Sequence, residues 1–524
     1  MVSRSRLVNL DAMIRRADFA LQKDTDSQPS FDAIQGISLS NLAPGSLLLT
    51  SLRKPDFQRE TNHWSPEQVV SLLDCFVNGD LIPSVILWRS PMYLYVIDGG
   101  HRLSVLRAWI EDDYGDGPIS REFFGHSISE EQRRTAKQTR DLVGETIGTW
   151  QHYNRGGVGS GVSEAELRRI NTMVSRALPV QWVQGNADKA ENSFFKINMK
   201  GTPLDEIEEL LLSNRRKPIP IAARAVIRAG MGHKYWSAFP GPTASQIEVL
   251  AHALHITLFE PELRTPVKTL DLPLGGSTGV RAALQVLIDF MLVAIRNQQG
   301  TPKKVSELDD DVDGSSTVAV LERALGLASR ITGNENGSLG LHPAIYFYGP
   351  TGRHHVPLFM GTAELFAHKL ANNDRSFFQK FTAVREKLEE TLMDHKDLIA
   401  QALQKTASSR RANLYTSILD QIIITLLAGE TIGEAEIVKF AGLVGKILVG
   451  DAKTKASGFS EDTKSATFLR AALQGALKCP ICHGYLDPDK SVSYDHKVRR
   501  QDGGRGDDDN CQLTHPYCNQ SVKN

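Results

Sequence analysis

Four of the five cysteines lie in the C-terminal stretch CPICHGYLDPDKSVSYDHKVRRQDGGRGDDDNCQLTHPYCNQSVKN, and their spacing limits what that stretch can be. Cys479 and Cys482 form a C-x-x-C pair, and His515 with Cys518 forms an H-x-x-C pair. Two such pairs supply the soft and borderline ligands of a closed, tetrahedral, structural Zn²⁺ site. A segment of about 50 residues buries too little apolar surface to stand unaided, so a metal staple is physically reasonable. Cys511 is left over. Its place after Asn510 predicts a packed core thiol, with a competing ligand role as the lesser option. Cys75 stands alone, and so few cysteines make no disulfide framework.

The 524 residues suggest several domains. With 41% hydrophobic and 23% charged residues, the composition is that of a folded globular chain, which excludes wholesale disorder and fibrous classes. Lys and Arg number 60 against 61 Asp and Glu, so any polyanion site has to be local. The start, MVSRSRLVNLDAMIRR, has no secretory signal pattern, and the longest apolar run, 284–295, contains Asp289 between Arg281 and Arg296. These features predict a cytoplasmic chain with no membrane partner.

Along the chain, a polar lead (1–35) precedes a mixed strand and helix region (36–201). A mostly helical middle (202–465) and the cysteine-rich end (466–524) follow. Ser65 with Gln68 makes a capping box for a helix through Val69, Leu73 and Phe76. Two β-rich runs, 84–88 and 93–97, flank a turn-like Arg89-Ser90-Pro91, and Asp98-Gly99-Gly100 breaks the second run before a helical pattern through Leu103 and Leu106. Apolar periodicity predicts further helices over 204–212, 219–227, 282–295, 363–370, 414–427 and 437–449.

Between the two cysteine pairs lie Asp495-His496, a basic glycine-rich stretch and Asn510, and Asn519 follows the last cysteine. This order resembles the HNH, or ββα-metal, endonucleases of the zinc-stapled subgroup, with His515 standing where that subgroup usually has Cys. Phosphodiester hydrolysis needs a base for the attacking water and positive charge on the phosphate and departing oxygen. An imidazole is the side chain suited to proton transfer near neutral pH, which makes His496 the candidate base. Asp495 and Asn519 are hard oxygen ligands suited to one Mg²⁺ or Mn²⁺. By the resemblance, Asn510 pins the loop that orients His496. Lys497, Arg499, Arg500 and Arg505 can contact neighbouring phosphates without reading sequence. The alternative is a zinc-stabilised DNA- or partner-binding regulator without turnover.

Near the other end, PDFQRETNHW, IPSVILW and YVIDGGHRLSVLRAW resemble the ParB-like N-terminal domain of GmrSD-type restriction proteins. Asp98-Gly99-Gly100-His101-Arg102 matches their D-G-Q-Q-R motif with His101 at the second Gln, and Gln58-Arg59 matches the upstream arginine motif. Phe194-Phe195-Lys196-Ile197-Asn198 with Gly201-Thr202-Pro203-Leu204 resembles a third element. Paired glycines at a helix start let backbone N–H groups approach an anion. Arg59 and Arg102 could clamp phosphate oxygens, Asp98 could hold a divalent ion or polarise water, and His101 could act as acid, base or donor. The alternative for the same residues is a turn with Arg102 in a surface salt bridge.

Other patterns do not carry chemistry. The glycine run 157–161 lacks the strand and lysine of a phosphate loop and reads as a connector. Asp309, Asp311, Asp313 and Gly314 imitate a calcium loop whose twelfth position is Val320, not Glu, so 309–313 reads as flexible punctuation. His354-His355 reads as a solvated loop pair, and Arg215, Arg216, Lys217, Arg224 and Arg228 as solvated charge. The sequence therefore predicts an α+β multidomain chain: a ParB-like nucleotide- or DNA-sensing domain, a helical middle and a C-terminal zinc-stapled nuclease. The expected cofactors are structural Zn²⁺, catalytic Mg²⁺ or Mn²⁺ and a nucleoside triphosphate. The expected substrate is phage or modified DNA, and a homo-oligomer is plausible.

Overall fold

The structure is a computed structural model that describes residues 7–17, 19, 34–58, 60–125, 128–155, 163–200, 206–277, 280–296, 304–445 and 458–523. The chain divides into two compact units, 1–215 with 231–235 and 216–230 with 236–524.

The first unit is built on a six-stranded mixed sheet of order β1-β3-β5-β4-β6-β2. Its strands are β1 (Arg16–Ala17), β2 (Gly36–Ser38), β3 (Leu52–Pro55), β4 (Val85–Arg89), β5 (Leu94–Asp98) and β6 (Ala177–Trp182). The two runs read from sequence as strands are β4 and β5, paired antiparallel. Side chains alternate across a strand, so the sheet feeds two cores. Val85, Leu87 and Val96 join Val69, Leu73, Phe76, Leu103 and Leu106 in one core. Trp88, Tyr95 and Ile97 join Phe19, Phe57, Ala190 and Phe194 in the other.

Local signals set the helix ends. Helix Pro66–Asn78 opens on the Ser65/Gln68 capping box with Pro66 in its first turn, and closes at Gly79 in the left-handed region, φ 86°. β5 passes directly into helix Gly100–Glu111 through Gly99, whose φ of 95° suits glycine. A buried network ties the sheet edge together. Asp11 Oδ1 accepts from Arg16 Nη2 at 2.8 Å and from Lys54 Nζ at 2.7 Å. Burial of Lys54 outweighs that attraction and lowers its ammonium to about 8.

The second unit is helical, with a small sheet near its C-terminal end. The helices read from apolar periodicity are seen as Pro218–Ile227, Val280–Ala294, Val356–Ala371 and Arg411–Leu427. Val356–Ala371 and Arg411–Leu427 approach closely at Gly361, where an added Cβ would lie 2.7 Å from the Ala412 carbonyl oxygen. The expected helix over 437–449 ends early. The described helix is Glu434–Phe440, and Gly442, at φ 65°, turns the chain away. Residues 446–457, like the 157–161 glycine run, lie outside the described residues.

Three sequence readings are corrected in this unit. Asp311 is buried, not flexible punctuation, and caps helix Ser315–Ile331: its carboxylate accepts from Gly314 N at 2.9 Å and Thr317 N at 2.7 Å. Arg224 is buried within its helix rather than solvated, because the apolar residues around it pack on both sides. His354 is half-buried, its Nε2 2.7 Å from the Leu274 carbonyl oxygen. Among the described residues, no helix is long and apolar enough to cross a membrane.

Candidate active site and metal centre

The C-terminal module begins with the Cys479/Cys482 turn, where His483 takes a left-handed φ of 57° and Cys479 N donates to Gly484 O at 2.8 Å. β7 (Ser493–His496) and β8 (Cys511–Thr514) then form an antiparallel hairpin, and a short helical turn, Cys518–Val522, closes the module. The order is two strands followed by a helical turn, with the metal-spacing residues at its base.

Cys479, Cys482, His515 and Cys518 are all buried, and their ligand atoms lie within 4.8 Å of one another. These four residues could hold a metal ion such as zinc. His515 is already oriented for it. Its Nε2 lies 2.9 Å from the Tyr485 carbonyl oxygen, which takes the ring proton there and leaves Nδ1 facing Cys482 Sγ at 3.3 Å. Burial, reinforced by the Arg385 guanidinium, lowers the His515 imidazole, which favours the neutral form a ligand needs. The sulfurs share hydrogen bonds. Those from Cys482 and Cys518 pull the Cys479 thiol down, and the same sharing pushes Cys482 up to about 12. A bound cation would hold all three as thiolates.

The module rests on a buried ion pair from the helical region. Arg385 Nε donates to Glu389 Oε1 at 2.7 Å, and Arg385 Nη2 donates to Gly340 O at 2.8 Å. Glu389 Oε1 also accepts from Tyr346 Oη at 3.0 Å, and its Oε2 accepts from Tyr485 N at 2.7 Å. Burial opposes the charge on Arg385, but the Glu389 carboxylate overrides it and holds the guanidinium above its ordinary pKa. Gly484 has no side chain for a steric reason: a Cβ there would lie 2.5 Å from Arg385 Nε. No sequence pattern tied Arg385 or Glu389 to the cysteine module, since the Tyr485 N–H that Glu389 accepts lies almost a hundred residues along the chain.

The register places His496 opposite Cys511 and Asp495 opposite Gln512, so the two motif residues leave the hairpin on opposite faces. Asp495 is buried, and its Oδ2 accepts from Gln512 Nε2 at 2.8 Å and Lys523 Nζ at 2.7 Å. Asn519 Nδ2 donates to Ser493 Oγ at 2.7 Å and Tyr494 O at 3.3 Å, which holds the closing turn against β7. His496 is half-buried, and Arg500 Nε donates to its Nε2 at 3.3 Å.

Asn510 Oδ1 accepts from Val498 N at 2.7 Å, while its Nδ2 donates to Val498 O at 3.1 Å and Arg505 O at 2.6 Å. It thereby closes the loop that follows His496. Lys497, Arg500 and Arg505 are exposed, and Arg499 is half-buried with Nη2 donating to Lys523 O. Cys511 is exposed rather than packed in the core. Strand alternation puts it on the His496 side of the hairpin, while Gln512 faces Asp495. Sequence reasoning missed Gln512 and Lys523.

In the first unit, Arg102 Nη2 donates to Asp98 Oδ2 at 2.8 Å and to Ser84 O at 3.0 Å. These bonds give the salt-bridge arrangement that stood as the alternative. Gly99 and Gly100 start the helix, and a Cβ on Gly100 would lie 3.2 Å from Gln58 Oε1, so that glutamine lies across the helix start. His101 stacks on Trp64, centroids 5.5 Å apart and planes 22° apart. Arg59 and Gly201 to Leu204 lie outside the described residues, and Asn198 falls in helix Ala187–Lys200.

With that geometry in place, comparison with known families gives two matches. Residues 45–215 match the GmrSD restriction endonuclease N-terminal domain, and residues 478–524 match the HNH endonuclease family. The chain thus joins a GmrSD-type N-terminal domain to a C-terminal HNH endonuclease domain, and the pair supports a restriction-type nuclease, a hydrolase. No curated protein and no solved structure matches the chain.

Proposed function

We propose that the chain is a metal-dependent DNA endonuclease of prokaryotic defence, acting on phage or modified DNA in the cytoplasm, with nucleotide control at its N-terminal domain. The observation that carries the reading is the β7–β8 hairpin, which carries Asp495 and His496 in the same C-terminal module as a buried Cys₃His cluster.

His496 is the base. The hydrogen bond from Arg500 requires an unprotonated Nε2. A DNA phosphate competes for the Arg500 guanidinium and frees that nitrogen to take a proton from the attacking water. Asp495 and Asn519, a carboxylate and an amide, form a donor set suited to Mg²⁺ or Mn²⁺, which would supply positive charge for the scissile phosphate and the departing 3′ oxygen. Asn510 keeps the loop after His496 closed. Lys497, Arg499, Arg500 and Arg505 hold flanking phosphates. The products are 5′-phosphate and 3′-hydroxyl ends.

At the N-terminal domain, Gly99 and Gly100 present backbone N–H groups at the start of a 12-residue helix, a favourable place for a triphosphate anion. Arg59, Asp98, His101 and Arg102 are its proposed contacts, and Arg102 must leave Asp98 to take part. Cleavage of both strands is assigned to a homo-oligomer.

The test is cleavage of matched modified and unmodified phage DNA with Mg²⁺ or Mn²⁺, with and without each nucleoside triphosphate. The reading expects metal-dependent cuts whose rate changes with one nucleotide. A protein that binds DNA and never cuts it would be a regulator instead, and a rate indifferent to every nucleotide would remove the gating.

A further inference from the structure

We propose that Lys523 is a built-in counter-ion that occupies the cation position on Asp495 until a divalent ion and DNA displace it together. The inference rests on Asp495 being the metal carboxylate of the proposed nuclease.

Three features set the lysine in place. Its backbone N–H donates to Cys518 O at 3.1 Å, which fixes it to the closing turn. Arg499 Nη2 donates to its carbonyl oxygen, which fixes the other end of the residue. Its side chain then reaches back over the hairpin, so that Nζ lies 2.7 Å from Asp495 Oδ2 and also donates to the His496 carbonyl oxygen. The lysine side chain is 18% exposed and the aspartate 9%, so water screens this pair little.

Asp495 Oδ2 has Gln512 Nε2 at 2.8 Å as its second donor. An oxygen that accepts from an ammonium and an amide has little lone-pair density left for a metal, so a divalent ion that binds Asp495 through Oδ2 takes the ammonium's place. Gln512 can stay. The exchange leaves the positive charge of Lys523 without a carboxylate, on the residue whose carbonyl Arg499 holds. A DNA phosphate is the anion that would receive it there. Metal and DNA therefore each favour the arrangement the other needs, which is positive coupling between two ligands through one side chain. The arrangement would hold the hydrolytic site without its ion until substrate arrives.

The experiment is isothermal titration of Mn²⁺ into the full chain carrying His496→Ala, which keeps added DNA intact. It is run with and without a duplex oligonucleotide, and compared with the same chain bearing Lys523→Met or Lys523→Arg. Zinc content is measured on each preparation. Loss of one charge-assisted hydrogen bond corresponds to about tenfold in affinity. Lys523→Met should therefore bind Mn²⁺ about tenfold more tightly than its parent, and adding DNA should tighten it much less than it tightens the parent. Lys523→Arg should behave like the parent. Equal or weaker Mn²⁺ binding by Lys523→Met with zinc retained would overturn the inference and leave the nuclease reading intact. Loss of zinc in Lys523→Met would assign the lysine a purely structural role and overturn it as well. Failure of every variant to bind Mn²⁺ would overturn both the inference and the metal role of Asp495.

Discussion

Replacing Glu389 with alanine strikes the joint between the helical region and the metal cluster. Both Arg385 and Glu389 have side chains 1% exposed, so the substitution strands a guanidinium in the interior. Breaking a buried pair by removing one partner costs about 3–5 kcal/mol. The damage should also travel. Glu389 Oε2 holds the Tyr485 N–H, and the Tyr485 carbonyl in turn fixes the ring of His515. Loss of an outer partner of a metal-binding histidine typically weakens metal affinity about 10- to 100-fold. Urea denaturation followed by circular dichroism, with zinc release read by a chromogenic chelator, measures both effects. Glu389→Ala should lose about 3–5 kcal/mol and release zinc faster, while Glu389→Gln, which keeps an acceptor for Tyr485, should release it more slowly than Glu389→Ala. A loss below about 1 kcal/mol, the range of an exposed pair, would refute the reasoning.

Three further outcomes follow from the same contacts. His342 is fully buried, and burial lowers its imidazole to about 3 while its Nδ1 accepts the Ala344 N–H, so it folds neutral. Because the folded pKa lies below the unfolded one, its contribution is complete above about pH 6.5 and falls away as the pH drops toward 3, by up to about 1.4 kcal/mol per pH unit. Urea titrations across that window should show the slope in the parent and a flatter one in His342→Asn; equal slopes would contradict it. Arg505→Ala should weaken DNA binding without changing sequence preference and lower the salt slope by about 0.9, as read by fluorescence anisotropy; an unchanged slope would remove Arg505 from the phosphate contacts. Arg102→Ala should cost no more than about 1 kcal/mol, because its pair with Asp98 is partly exposed, yet abolish nucleotide binding by equilibrium dialysis; retained binding would leave the residue a surface salt bridge.

The parts legible in the sequence were those whose determinants are local. A capping box, a glycine that must be left-handed and a C-x-x-C pair each act over a few residues, so helix Pro66–Asn78, the β5-to-helix turn and the Cys₃His cluster could be read directly. Contacts between distant segments could not. The Arg385–Glu389 support is made by a helix almost a hundred residues before the cysteines it braces, and its i,i+4 spacing is that of any helical ion pair, with nothing to link it to them. Lys523 likewise carries no local signal in the sequence; the closing turn brings it to Asp495. Burial misled in both directions. Cys511 was expected in the core from its place after Asn510, but strand alternation exposes it, and Arg224 was expected outside but is packed within an apolar helix.

The central claim is that the last fifty or so residues fold around zinc and use His496 as a base on DNA. Plasmid cleavage in Mg²⁺ or Mn²⁺ by the parent and by His496→Ala, with elemental analysis of both, tests it most directly. The account predicts nicked or linear plasmid from the parent, none from the variant, and the same single zinc per chain in each. Undiminished cleavage by His496→Ala, or an active parent without zinc, would contradict it.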